Sequence, residues 1–97
     1  MQSVGESIVR SIFKVVESRK VNAPAGSYTA ELFAGGEDLI LKKVGEEAVE
    51  VIVAAKGEGD ERVVYEMADL VYHCLVLLAE RGLSWEAIET ELARRVK

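Results

Sequence analysis

The chain has 97 residues, of which 49% are hydrophobic and one is proline, a composition that belongs to a single folded domain spanning residues 1–97 and not to a disordered segment. Charged residues make up 30% and leave a net charge of −5, which argues against a nucleic-acid partner, because binding a phosphate backbone calls for a basic surface. A single cysteine, Cys74, excludes an intrachain disulfide; Met1 to Glu6 lacks the basic start of a secretory signal, and Leu70 to Ala79 is too short to span a bilayer, so a cytoplasmic protein without a membrane partner is expected.

Strand signals are absent, and apolar residues recur at helical spacing. Ile8, Ile12, Phe13, Val15 and Val16 predict an amphipathic helix over roughly Ser3 to Ser18. Arg19 to Gly26 holds the only proline and reads as a loop. Ser27-Tyr28-Thr29 supplies helix-start hydroxyls for a short helix that Gly35-Gly36 stops. A longer helix follows from about Glu37 to Lys56, with Ile40, Val44, Val51 and Ala55 as its apolar stripe, and Gly57-Glu58-Gly59 ends it. Asp60 is placed to cap the next helix, which runs to Arg81 with Gly82 in the stop position. Ser84 caps the last helix, where Trp85 is expected to pack back onto the bundle. The fold class is therefore all-α, a bundle of about four to five helices.

The Asp60 helix is apolar almost all round and must be covered on several sides. So short a chain has little with which to cover it. A homodimer is expected, in which two hairpins complete a four-helix-bundle core. Cys74, in the most apolar segment, reads as a small buried hydrophobe.

Acids interrupt the two central helices. Glu46, Glu47 and Glu50 lie among Val44, Val51, Ile52 and Val53; Glu66 and Asp69 precede a long apolar run. At about 100° per residue, Glu47 and Glu50 flank Lys43, and Glu66, Asp69 and His73 share one sector. An ionised carboxylate among apolar neighbours costs several kcal/mol unless a cation or dense hydrogen bonding compensates. Carboxylates converging from two helices suit a hard divalent cation such as Mg2+.

The pattern Glu-Glu-x-x-Glu, fifteen residues, then Glu-x-x-Asp resembles the metal signature of the MazG-like superfamily of all-α nucleoside triphosphate pyrophosphohydrolases. Three segments narrow the resemblance: Ser27 to Phe33, Leu41 to Val51, and Tyr65 to His73, together with Leu77 to Ser84. With these the chain resembles the phosphoribosyl-ATP pyrophosphatases over roughly residues 8–95. That resemblance implies Mg2+-dependent hydrolysis of phosphoribosyl-ATP to phosphoribosyl-AMP and pyrophosphate, the second step of histidine biosynthesis. It implies Glu47, Glu50, Glu66 and Asp69 as metal ligands. Glu46 would bind a second ion or orient the attacking water, and Lys43, with Lys42 less well placed, would meet a phosphate. Only the resemblance gives Tyr28 and Thr29 a part in substrate binding.

Plainer explanations stand beside these. Glu46, Glu47 and Glu50 read equally as a solvated face with a Lys43–Glu47 pair, and Glu66 and Asp69 as acids buried against a basic partner. His73 reads as a core or interface histidine or as a hydrogen-bond donor to Asp69. Gly45, mid-helix, reads as a site of close helix approach or as room for a ligand. A house-cleaning pyrophosphohydrolase acting on free nucleotides, or a noncatalytic helical dimerisation module, are the competing functions. A di-iron bundle is disfavoured, because neither acidic pair is Glu-x-x-His.

Overall fold

The computed structural model of the chain describes residues 7–96. Five helices follow in order, α1 (Ile8–Asn22), α2 (Tyr28–Gly35), α3 (Glu37–Gly57), α4 (Asp60–Glu80) and α5 (Trp85–Arg94), with no strand among the described residues. None of these helices is long and apolar enough to cross a membrane.

The helix starts follow capping chemistry. Ser7, Ser27 and Ser84 each accept a hydrogen bond from the backbone N–H three residues on, satisfying one of the donors that a helix start leaves open. The Asp60 expectation is corrected: Gly59, at φ 91°, is the cap, and Asp60 lies inside the first turn of α4 with Glu61. There the two acids meet the positive end of the helix. The expected first helix shifts. It runs on to Asn22, four residues beyond Ser18, because its stop is set by Ala23 in the left-handed region before Pro24, where a helical conformation is disfavoured. The part of that expectation covering Ser3 to Glu6 lies outside the described residues. Ile8 and Val15 are exposed, so the buried face of α1 is carried by Phe13 and Val16.

α3 and α4 form an antiparallel hairpin through Glu58 and Gly59, and α1 and α2 pack against it. Phe13, Val16, Leu32, Ile40, Leu75, Val76 and Ala79 make the core, and Trp85 packs against it as expected. Arg10 holds α5 to α1 through Glu86, at 3.2 Å, and through Glu89. Lys20 donates to the carbonyl of Ala79 at 2.9 Å, near the negative end of α4.

Three further expectations are corrected. Cys74 is exposed in the protomer. A Cβ added at Gly45 would meet nothing within 4 Å, so no neighbouring helix makes close approach there. On α3 the fully buried alanine is Ala54, not Ala55. Ile40, Glu47 and Ala54 thus fall at seven-residue spacing along one core-facing line.

Candidate active site

That line explains the site. Seven residues are nearly two helical turns, so a glutamate midway between Ile40 and Ala54 is carried to the interior whatever its charge. Glu47 is 8% exposed. α4 repeats the device: Glu66 and His73, again seven apart, are 3% and 2% exposed. Neither Glu47 nor Glu66 is therefore part of a solvated face. The apolar residues around them supply the local helicity, and tertiary packing buries the acids with their neighbours.

The buried acids face an open cavity of about 500 Å³, walled by Lys43, Glu46, Glu47 and Glu50 from α3 and by Arg62, Tyr65, Glu66 and Asp69 from α4. Five of its eight walls are carboxylates. Glu46 and Glu50 stand at the exposed rim. Lys43 Nζ lies 3.3 Å from a Glu46 oxygen and 3.9 Å from one of Glu47. The Glu46 hydrogen bond holds the Lys43 ammonium above its ordinary range.

One ligand atom each from Glu47, Asp69 and His73 lie within 4.8 Å of one another. Burial, and then the facing Asp69 carboxylate, raise the Glu47 carboxyl above the ordinary glutamate range, with His73 and Lys43 as smaller opposing influences. His73 is ordered from both sides. Its Nδ1 lies 2.8 Å from the Asp69 backbone carbonyl, which only accepts, so Nδ1 donates; Nε2 then accepts from the Tyr28 hydroxyl, also at 2.8 Å. Nδ1 is 3.4 Å from the Asp69 carboxylate as well. His73 is thus both a buried histidine and a brace for Asp69.

With both ring nitrogens engaged, the donors left free to a cation are carboxylate oxygens from two helices. Hard oxygen donors in a cluster of five carboxylates and two cationic side chains fit a Mg2+-like ion better than a soft metal.

The other candidates divide. Tyr28 stands at the site: burial raises its hydroxyl pKa, opposed by nearby Lys43 and reinforced by Asp69 and Glu47. Thr29 is buried, with its hydroxyl hydrogen-bonded to that of Tyr72, away from the cavity walls. Lys42 is exposed and does not line the cavity. Arg62 is the residue that sequence reasoning missed. Its guanidinium pairs with Glu66 at 2.5 Å and lies 4.5 Å from the centre of the Tyr65 ring. The signal was available, since Arg62 precedes Glu66 by one helical turn. It supplies the basic partner that the plainer reading of Glu66 required.

Residues 9–96 match the family model of phosphoribosyl-ATP pyrophosphohydrolase. The chain is 56% identical over 90 residues to a phosphoribosyl-ATP pyrophosphatase of Pelotomaculum thermopropionicum, covering 93% of this chain and 92% of that one. It is 54% identical over 87 residues to the protein of the same name from Lactiplantibacillus plantarum, covering 90% and 82%. A histidine biosynthesis bifunctional protein of Caldanaerobacter subterraneus is 46% identical over 93 residues, 96% of this chain but 45% of that longer one. Fold, acidic cavity and relatives together define an all-α hydrolase of phosphoanhydride bonds. The chain belongs to the phosphoribosyl-ATP pyrophosphohydrolase family.

Proposed function

We propose that the chain hydrolyses phosphoribosyl-ATP to phosphoribosyl-AMP and pyrophosphate, the histidine-biosynthetic step that the relatives' names describe, with a Mg2+ ion bound at the acidic cavity. The observation that carries the metal is Glu47: a buried carboxyl facing a second carboxyl is compensated by a divalent ion and by little else in the cavity. Glu47, Glu50, Glu66 and Asp69 would hold the ion. When bound, it supplies charge to phosphate oxygens and acidifies a water. Glu46, exposed at the rim beside Lys43, orients the attacking water. Lys43 meets the phosphates, with Lys42 behind it at the surface. Tyr28 borders the substrate, and Thr29 serves it by fixing α2 to α4 through Tyr72.

The domain, residues 1–97, acts as a homodimer in this reading. Val64, Met67 and Val71 are 70%, 48% and 39% exposed on α4, and with the exposed Cys74 they repeat at intervals of three and four residues. That is the seam of a helix awaiting a partner helix. Ile52 and Val53 on α3 are likewise exposed apolar residues. A phosphorylated nucleotide substrate does not cross membranes unaided, which supports a cytoplasmic location.

Pyrophosphate release from phosphoribosyl-ATP and from ordinary nucleoside triphosphates, each with Mg2+ and with chelator, tests the reading. Release from phosphoribosyl-ATP alone, and only with Mg2+, is the expected result. Equal release from both substrate classes would assign a house-cleaning activity; none from either would leave a dimerisation module.

A further inference from the structure

The two halves of the acidic cavity are compensated differently. Glu47 and Asp69 face each other, and the nearest cation to Glu47 is Lys43 at 3.9 Å, itself engaged with Glu46. Glu66 is equally buried but carries its own counter-ion, the guanidinium of Arg62 at 2.5 Å. Glu66 also stands outside the trio of ligand atoms that lie within 4.8 Å of one another.

Arg62 is placed to let go. Its side chain is 49% exposed, against 4% for that of Glu66. Its guanidinium already has two other partners, the Tyr65 ring at 4.5 Å and a Glu58 oxygen 4.0 Å from Nε. Both belong, with Glu61, to the wall of a neighbouring open cavity. A guanidinium that gives up Glu66 keeps its stacking on Tyr65 and a carboxylate beside it, so release does not strand a charge.

We infer that Arg62 is a resident counter-ion that competes with the divalent cation for Glu66, making it a positioning residue that sets metal affinity. The inference rests on the metal site proposed above. Glu66 would be open to a cation only once Arg62 withdraws toward Tyr65 and Glu58. The arginine keeps the metal-free hairpin tolerable around a buried acid, at the expense of weaker metal binding.

The experiment is calorimetric titration of Mg2+ into the chelator-stripped full-length protein, comparing wild type, Arg62→Met, Arg62→Lys and Arg62→Met combined with Glu66→Gln, with helicity checked by circular dichroism. Arg62→Met should bind Mg2+ about twofold to fivefold more tightly, the scale of a single part-exposed ion pair. Arg62→Lys, which keeps the charge, should return most of the way to wild type. In the Glu66→Gln background, adding Arg62→Met should change the affinity little, because the competed group is gone. A merely structural arginine would not tighten metal binding when removed. Unchanged or weaker Mg2+ binding by Arg62→Met, or an equal gain without the Glu66 carboxylate, overturns the inference while leaving the metal site standing. Absence of Mg2+ binding by the wild type itself overturns the site reading first, and the inference with it.

Discussion

The Tyr28 hydroxyl donates to Nε2 of His73 across 2.8 Å, joining residues 45 apart in sequence and pinning α2 to the face of α4 that carries Asp69. The ring so held donates from Nδ1 to the Asp69 backbone, one helical turn back. A helix that contributes no acid to the cavity therefore still orients one. Removing only the hydroxyl, by Tyr28→Phe, leaves Nε2 of a 2%-exposed histidine without its donor. The expected loss is about 1–2 kcal/mol. A fall in Tm of about 4–8 °C per kcal/mol in thermal unfolding would register it.

Glu47 makes the stability of the metal-free protein pH-dependent in a definite direction. Its folded carboxyl holds a proton more tightly than the ordinary value of 4.5, chiefly through burial and Asp69. The folded state therefore binds more protons than the unfolded one between the ordinary and the raised value. The stability contributed by protonated Glu47 is present in full below 4.5 and is lost as pH rises through the raised value. In chelator, the urea midpoint of the wild type should decline over that window relative to Glu47→Gln, leaving the variant the more stable of the two at neutral pH. Parallel curves for the two proteins would contradict the assignment.

Added Mg2+ should reverse that order. The wild type gains stability by mass action as the ion binds the folded state, and Glu47→Gln, short of a ligand, gains less. Differential scanning calorimetry across a Mg2+ series reads both directly.

Turnover should collapse with either buried glutamate. Glu47→Gln and Glu66→Gln are each expected to lower kcat by about 100-fold or more, since even indirect disturbance of a metal site costs 10- to 100-fold. Far-UV circular dichroism should not change, because neither acid contributes to helix formation beyond its own position. Near-normal rates with either variant at saturating Mg2+ would remove the metal role.

The exposed seam of α4 gives the last prediction. Val71→Glu places a charge within the exposed Val64, Met67, Val71 and Cys74 surface. Light scattering after size exclusion should find the wild type at twice the 10.6 kDa chain mass and the variant at the single value. A variant that keeps the wild-type mass would place the interface elsewhere.

Much of this was legible in the chain because helices are local. The serines that start α1, α2 and α5 satisfy donors only three residues away, and Gly35-Gly36 and Gly57-Glu58-Gly59 mark the stops of α2 and α3. The common sector of Glu66, Asp69 and His73 follows from one rotation of 100° per residue. Arg62 belongs to the same local arithmetic, one turn before Glu66. The stop at Ala23 was likewise local, fixed by Pro24.

Sequence by itself determined five amphipathic rods and which face of each carries acid, since rotation along a helix needs no neighbour. Tertiary packing alone decided what those faces meet: that Glu47 confronts Asp69, that Tyr28 reaches His73 while Thr29 turns to Tyr72, and that Cys74 lies outside the protomer core. These depend on how α2, α3 and α4 are set against one another. That setting comes from burying Ile40, Leu32 and Val76 together, a requirement spread over residues far apart in the chain.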